Sequence, residues 1–329
     1  MKYKSIKIGV IGVGHLGQHH VKHFKNLQHA KLVGVFDTNR ERAKEISKKY
    51  NIKSFEKINL LLDEIEAASI VTTTKHHAKI AELCIKNKIH IFIEKPITAK
   101  LKEADKILKM ADENKIIIQV GHIERLNPAL LALKPYVIEP KFIEVQRLAP
   151  YTSRGTDVPV VLDKMIHDID IILSLVKSTI KSIQATGMSI LTDSIDIAHA
   201  RLRFNNGAVA SIMSSRVAKN EVRKLKIFQK DFYSTIDLLL GMTEVYKLSK
   251  NDNITGKSNV QIPFDYKNKT NFIVYKKLKL IKNDPLKMEL ENFLESIQGL
   301  QTPIVTGKQG RDALDIAIEI QKMIIKDIR

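Results

Sequence analysis

A short apolar run, Ile6–Ile11, ends directly in Gly12-Val13-Gly14-His15-Leu16-Gly17, and an amphipathic helical pattern opens behind the last glycine. No other feature limits the chain's folding options as tightly. A buried strand that turns through G-x-G-x-x-G into a helix is a βα unit built around a phosphate. Gly12 permits the tight turn, Gly14 lets the backbone approach a pyrophosphate, and Gly17 allows close helix–strand packing. His15 and Leu16 complete the loop that would face the ligand. The N-terminus of the helix offers free N–H groups and the positive end of its dipole. Asp37 closes the second apolar run, 20 residues past Gly17, where a carboxylate accepts ribose hydroxyls. That placement favours NAD over NADP, whose 2′-phosphate the carboxylate would repel, while the nearby Arg40 pulls the other way.

The first 121 residues continue in the same alternation. Strands are expected at Ile6–Ile11, 31–36, 68–72, 89–93 and 116–120, each rich in Ile and Val as for a parallel sheet covered on both faces. A helix is expected over 98–114, with Thr98 as its N-cap. Beyond His122 the pattern changes. Pro128, Pro135, Pro140 and the segment 150–159 punctuate the chain and mark a domain boundary near 121. A helical pattern follows over 160–176. In 198–204, Ala198, Ala200, Leu202 and Phe204 face one way and His199, Arg201 and Arg203 the other. Asn206-Gly207 supplies a hairpin turn into 208–214, and further strands are expected at 224–229 and 233–239. Residues 251–271 read as a polar loop. Helices are expected at 285–298 and at 308–326, the latter with Ala313, Leu314, Ile316, Ala317, Ile320 and Ile324 on its apolar side. The expected fold is α/β: an N-terminal Rossmann domain over 1–121, with a doubly wound parallel sheet, then an α+β domain over 122–307 with an open, mainly antiparallel sheet. The 308–326 helix is expected to pack back on the first domain.

Composition narrows the partners. The net charge is +18, but only 11 of the 54 basic residues are arginine, and the lysines are scattered through every segment. This reads as solvated lysine faces from a compositional bias, with a secondary taste for anionic ligands such as nucleotide diphosphates. A nucleic-acid binder would cluster them. The single cysteine, Cys84, rules out an intrachain disulfide and a thiolate cluster and fits a reducing cytoplasm. No apolar run approaches the roughly 18 residues of a membrane span. The basic residues 1–7 run straight into a strand without a small-residue cleavage site, so no signal peptide is expected. His15, His19 and His23 share helical spacing, but with no acidic partner in the run they, and His20, read as packed or solvated rather than metal-bound.

Several motifs taken together resemble one family. The glycine loop with His20 three residues beyond it, Asp37, the 72–77 segment, Glu94-Lys95-Pro96, and Asp163 four residues before His167 are similar to the glucose–fructose oxidoreductase/inositol dehydrogenase/MocA (Gfo/Idh/MocA) dehydrogenases. The likeness runs through the whole chain, including Gly310-Arg311-Asp312-Ala313-Leu314 in the last helix, and Glu94-Lys95-Pro96 is its most specific part. It implies cofactor contacts from Thr72, Thr73, His77, Glu94 and Lys95. It also implies that Lys95 hydrogen-bonds the reacting hydroxyl, that His167 takes the hydroxyl proton, and that Asp163, a helical turn earlier, orients substrate or imidazole. A narrower likeness, in 120–129 and 160–170, is to the UDP-N-acetylglucosamine 3-dehydrogenase branch. It implies oxidation of the C3 hydroxyl of a nucleotide sugar to the 3-keto form for 2,3-diamino sugar (lipid A) biosynthesis. Arg125 and Asn127 would then be substrate contacts or, equally, caps at the domain junction. Leu126 stands where that branch has an aromatic, Thr73 where a proline is common, and Lys164 inside an apolar stretch. The open alternatives are another polyol as substrate (inositol, a free sugar or a UDP-sugar uronate) or a non-catalytic NAD(H)-binding regulator. The polar strand face at His199, Arg201 and Arg203 needs covering, and the resemblance implies a homodimer or homotetramer.

Overall fold

The computed structural model describes residues 5–152, 158–249, 260–266 and 269–328. It divides into two compact units, Met1–Ile123 with Asp284–Asp315, and Glu124–Asn283 with Ile316–Arg329.

The first unit holds six strands: β1 (Ile6–Ile11), β2 (Ala30–Phe36), β3 (Lys53–Ser54), β4 (Ala67–Ile70), β5 (His90–Glu94) and β6 (Ile118–Gly121). They pair in parallel in the order β3-β2-β1-β4-β5-β6. The order reverses beside β1, so the strand ends there open a crevice at the switch point of a doubly wound sheet. Helices α1 (Gly17–Asn26), α2 (Arg40–Tyr50), α3 (Ile58–Leu62), α4 (His77–Lys86) and α5 (Leu101–Asn114) form the crossovers. The core on the α1 side is Ile8, Val10, Val21, Phe24, Val35 and Phe92, closed by Leu290, Phe293 and Leu294. One expectation needs correction here. The α5 helix begins at Leu101 rather than 98, because the Thr98 hydroxyl donates to the Lys100 carbonyl in a turn, while Glu103 accepts from the Lys100 N–H. Strand β3, two residues long, is too short to leave a periodic signal.

The second unit contains α6 (Pro128–Leu131), β7 (Phe142–Leu148), α7 (Ile166–Leu175), β8 (Ile180–Met188), β9 (Ile197–Phe204), β10 (Val209–Ser215), β11 (Val222–Gln229), β12 (Phe232–Asp237), β13 (Met242–Ser249), β14 (Val260–Tyr266) and β15 (Lys269–Lys277). Its nine strands run β14-β15-β13-β12-β11-β7-β10-β9-β8, antiparallel except for the β7–β10 pair. Strands β9 to β12 match the expected alternation, and Ala198, Ala200, Leu202 and Phe204 are buried opposite exposed His199, Arg201 and Arg203. β7, β8 and β13 escape sequence reading. In β7 the buried face carries Arg147 between apolar neighbours, which breaks the alternation, and β8 is largely polar. The expected loop 251–271 is also corrected: β14 and the start of β15 lie within it, and 251–259 and 267–268 fall outside the described residues, as does 153–157 of the proline-punctuated segment. Pro263 is tolerated in β14 because that strand is a sheet edge. Helices α8 (Pro285–Ile297) and α9 (Gly307–Ile328) complete the chain, with α9 contributing its start to the first unit and its remainder to the second. Among the described residues, no helix is long and apolar enough to cross a membrane.

The turn between β8 and β9 is closed by a single side chain. The fully buried Asp196 carboxylate accepts from the N–H groups of Ile190, Leu191 and Thr192 at 2.7–2.9 Å and from the Thr192 hydroxyl, and lies 3.2 Å from Arg216 Nε. Burial alone would push this carboxyl up, but the backbone N–H donors prevail and bring it down to about 2. A carboxyl depressed in the folded state stabilises above its unfolded value and loses that stabilisation as pH falls through the folded one. The shift corresponds to about 2 kcal/mol at neutral pH. Asp196→Asn is therefore expected to lower the unfolding free energy by about that amount at pH 7, with the difference falling by about half between pH 5 and pH 3. Urea melts of both proteins across that range measure it, and a pH-independent difference would contradict the assignment.

Candidate active site

The glycine loop has the steric signature of a dinucleotide cradle. Gly12 has φ +90°, and a Cβ there would lie 2.7 Å from the Val71 carbonyl oxygen. A Cβ on Gly17 would lie 2.0 Å from the Gly12 oxygen, so α1 can approach β1 this closely only without a side chain. In front of Gly14 the situation is reversed: no atom comes within 4 Å of a Cβ placed there. The protein's own packing does not demand a glycine there, and the space in front of it is open to a dinucleotide. Helix α1 starts without a side-chain cap and without an acid in its first turn, so no carboxylate there opposes a phosphate at the positive end of its dipole. Leu16 stands at its N-cap position and is exposed, as is His15, which meets His19 edge-on at 5.7 Å. His20 and His23 turn to other partners, so the four histidines do not converge.

Asp37 reaches the loop directly. Its Oδ2 accepts from the Val13 N–H and its Oδ1 from the Asn39 N–H, both at 2.8 Å. Each oxygen keeps lone-pair capacity for a ribose hydroxyl. Arg42, which the sequence reading passed over, donates through Nε to the Val13 carbonyl at 2.9 Å, whereas Arg40 is an exposed first residue of α2. A cleft of about 590 Å³ beside the loop is lined by Gly12, Gly14, Asp37, Thr72 and Thr73. Its apolar wall, Ile58, Val71, Ile80 and Leu83, suits the face of an adenine ring, and Lys75 and Lys79 stand at the same cleft. Both lysines were indistinguishable by sequence from the many other lysines. Removing the Asp37 carboxylate is expected to weaken NAD binding about 10- to 100-fold, the worth of charge-assisted hydrogen bonds. Binding titrations of Asp37→Ala with both dinucleotides check this; unchanged NAD affinity would show that the carboxylate does not read the ribose.

The loops after β4 and β5 are joined by a buried histidine. One His77 ring nitrogen lies 3.0 Å from the Thr72 carbonyl and the other 3.0 Å from that of Pro96. Burial lowers the pKa of this imidazole, more than the two carbonyls raise it, so the neutral ring donates to one carbonyl at a time. His77 thus holds the Thr72 turn beside the Glu94-Lys95-Pro96 turn, where the Lys95–Pro96 peptide is cis. Lys95 is half-buried directly after β5, and Glu94 is engaged by His20.

In the second unit, Asp163 and His167 lie on one continuous helical segment. Its first turn, Val161–Met165, is wound as a π-helix rather than the α-turn expected from their four-residue spacing. Such widened turns are common at functional sites. Lys164, the polar interruption in the sequence, lies 3.6 Å from the Asp163 carboxylate. Behind them is a buried ionic frame. Arg147 donates from Nε and Nη2 to Asp168 at 2.8–3.1 Å and from Nη1 to Glu124 at 3.0 Å. Burial would lower its pKa, but the two carboxylates more than offset this and keep it charged. Arg125 makes a two-point pair with Asp170 at 2.7 Å. Asn127 caps α6 through Ala129 N–H and donates to Glu124 and to the Leu238 carbonyl. The structure thus gives Arg125 and Asn127 framework contacts around α6 and α7.

The comparisons with known proteins bear on the chain as a whole. Residues 6–122 match the model for the oxidoreductase family with an NAD-binding Rossmann fold, and residues 144–230 match the GFO/IDH/MocA C-terminal domain. The chain belongs to the Gfo/Idh/MocA oxidoreductase family. Among family members, it is 34% identical to UDP-N-acetylglucosamine 3-dehydrogenase of Acidithiobacillus ferrooxidans over 96% of both chains. It is 24% identical to myo-inositol 2-dehydrogenase of Thermotoga maritima over 97% of this chain and 96% of that one. The solved structure of the A. ferrooxidans enzyme superposes with a TM-score of 0.87 at 33% identity, covering 97% of this chain and 98% of that one. This Gfo/Idh/MocA protein is accordingly an NAD-dependent dehydrogenase acting on CH–OH groups.

Proposed function

We propose that the chain oxidises the C3 hydroxyl of a nucleotide sugar, UDP-N-acetylglucosamine in the first instance, to the ketone. The observation that carries this reading is the 34% identity to a UDP-N-acetylglucosamine 3-dehydrogenase across 96% of both chains, with Lys95, Asp163 and His167 all present. The first unit serves the cofactor, and the second serves substrate and self-association. NAD, when bound, supplies the acceptor for the hydride leaving the carbinol carbon. Lys95 donates from its ammonium to the reacting oxygen and stabilises the negative charge that develops there. His167 takes the hydroxyl proton, so the substrate loses a hydride and a proton and becomes a ketone. Asp163 orients the imidazole or a sugar hydroxyl. With the nucleotide sugar as substrate we place the reaction in the cytoplasm.

The exposed sheet face supports a homo-oligomer. Phe142, Phe228, Tyr233, Tyr246 and Tyr275 lie opposite one another across five strands, with neighbouring rings 4.7–5.9 Å apart. Phe142 and Phe228 are more than a third exposed, and such an aromatic row on an open sheet suits a second copy of the chain. Light scattering is expected to give a dimer or tetramer, and Phe228→Lys to shift it toward monomer. A monomeric wild type would remove this part of the proposal.

The activity is tested by following NADH with UDP-N-acetylglucosamine and NAD, with a sugar aminotransferase and glutamate present to draw off the ketone. NADH formed only with the nucleotide sugar supports the reading. Turnover with inositol or free sugars alone keeps the family chemistry and discards the substrate. Silence with every polyol, despite tight NADH binding, discards the reaction.

A further inference from the structure

One buried polar chain in the first unit has no part in the chemistry described so far. His20, on α1, is 1% exposed. Its Nδ1 lies 2.9 Å from the hydroxyl of Ser69, a fully buried residue of β4, and its Nε2 lies 3.1 Å from Oε1 of Glu94 at the end of β5. Phe92 meets the imidazole edge-on, with centroids 5.5 Å apart, and Phe24 lies against its other side at 6.5 Å. The ring is thereby fixed in orientation. The far side of the Glu94 carboxylate is equally confined: a Cβ on Gly121 would lie 3.0 Å from its carbon and from both oxygens.

The proton inventory has one arrangement that satisfies every member without charging the imidazole. Ser69 donates its hydroxyl to Nδ1, and Nε2–H donates to an ionised Glu94. The chain then carries one negative charge, adjacent in sequence to the Lys95 ammonium. The carboxyl's titration agrees: burial pushes Glu94 up, but the His20 hydrogen bond and the charge of Lys95 bring it below its ordinary value. A buried serine, histidine and glutamate in line would suit nucleophilic catalysis if the serine were open to a substrate, but Ser69 has no exposed surface. A structural role in the sheet alone would not need an ionised carboxylate beside the reactive lysine.

We propose that His20 is a positioning residue for the dehydrogenase: by donating Nε2–H to Glu94 it holds that carboxylate ionised and oriented, and so holds Lys95 as a charged, aimed ammonium. The inference rests on the role given to Lys95 above. Two near-isosteres separate its parts. Glutamine places an amide N–H where His Nε2 stands and keeps the bond to Glu94, whereas asparagine reaches only the Nδ1 position and keeps the contact with Ser69.

The decisive experiment compares wild type, His20→Gln and His20→Asn in two readouts, with equal NADH affinity and thermal midpoint as the check that both variants fold. In steady-state turnover, His20→Asn is expected to lose about 10- to 100-fold in kcat with little change in KM for NAD, the worth of one charge-assisted hydrogen bond, while His20→Gln stays within about threefold. In competitive labelling of lysines by acetic anhydride, read by peptide mass spectrometry, Lys95 is expected to label severalfold faster in His20→Asn than in wild type or His20→Gln. This second readout needs no substrate. Absence of turnover in wild type with any polyol would therefore overturn the proposed function and leave the labelling to judge His20. Equal Lys95 labelling in all three proteins, or equal losses in both variants, would reduce His20 to a packing residue and overturn the proposal.

Discussion

Lys95→Ala is expected to lower kcat about a thousandfold, the upper range for removing a single preorganised donor from a developing oxyanion, while NADH binding stays within about twofold. The lysine follows β5 at the cis Lys95–Pro96 peptide, with the next carbonyl held by His77 and the preceding carboxylate held by His20. With the residues on both sides held, loss of the lysine should fall on the chemical step rather than on cofactor affinity. Lys95→Arg is expected to recover little, because a planar fork cannot take the place of a compact ammonium. Steady-state kinetics with a fluorescence titration of NADH separate the two effects. A kcat within tenfold of wild type, or a loss of NADH affinity that matches the loss of rate, would remove Lys95 from the chemistry.

The largest effect on stability is expected from Asp168→Ala. This carboxylate is fully buried and bonded by Arg147, which is itself 5% exposed. Removing it leaves the guanidinium in the interior with only Glu124 as counter-charge. Breaking a buried pair from one side costs about 3–5 kcal/mol. Replacing both partners, as in Arg147→Met with Asp168→Leu, is expected to recover much of the loss in denaturant melts, because the desolvated charge is then gone. If the double variant is as unstable as Asp168→Ala, the frame matters for its shape and not for its charges. The same frame carries the turn after the π-helical segment, so even a folded Asp168→Ala should lose activity through His167.

The parts of this molecule that were legible in the sequence are local ones. The glycine loop is complete within a few residues and follows from backbone sterics, Asp37 from its place at the end of the second apolar run, and Glu94-Lys95-Pro96 was legible as the mark of a family. Strands β9 and β11 were legible because an apolar face alternates with a charged one, and β10 and β12 from the weaker alternation beside them, with Asn206-Gly207 between β9 and β10. Long-range partners were not. His20 was marked in the sequence by its place three residues beyond the glycine loop, but nothing in the run of histidines shows that it reaches β4 and β5 while His15 is exposed. Arg147 made β7 look unlike a strand because its partners, Glu124 and Asp168, are distant in the chain. Arg125 and Asn127 read equally as substrate contacts or as caps at the domain junction, and the carboxylate partners that the fold gives them in the frame are not visible in their sequence neighbourhood. A charged residue in an apolar pattern reads as exposure unless its counter-charge is known, and only the tertiary structure supplies that.

The two bonds from Asp37 to the backbone of Val13 and Asn39 bear on how such an enzyme changes over generations. The acid we propose to sense the ribose is also a strut of the glycine loop. A single substitution that removes its charge, and with it the objection to a 2′-phosphate, slackens the cradle for either dinucleotide at once. A descendant that comes to prefer the phosphorylated cofactor must therefore first acquire another brace for Val13, and Arg42, already bonded to that residue's carbonyl, is a side chain from which one can be recruited. On this reading the choice of cofactor and the shape of the glycine loop rest on one side chain.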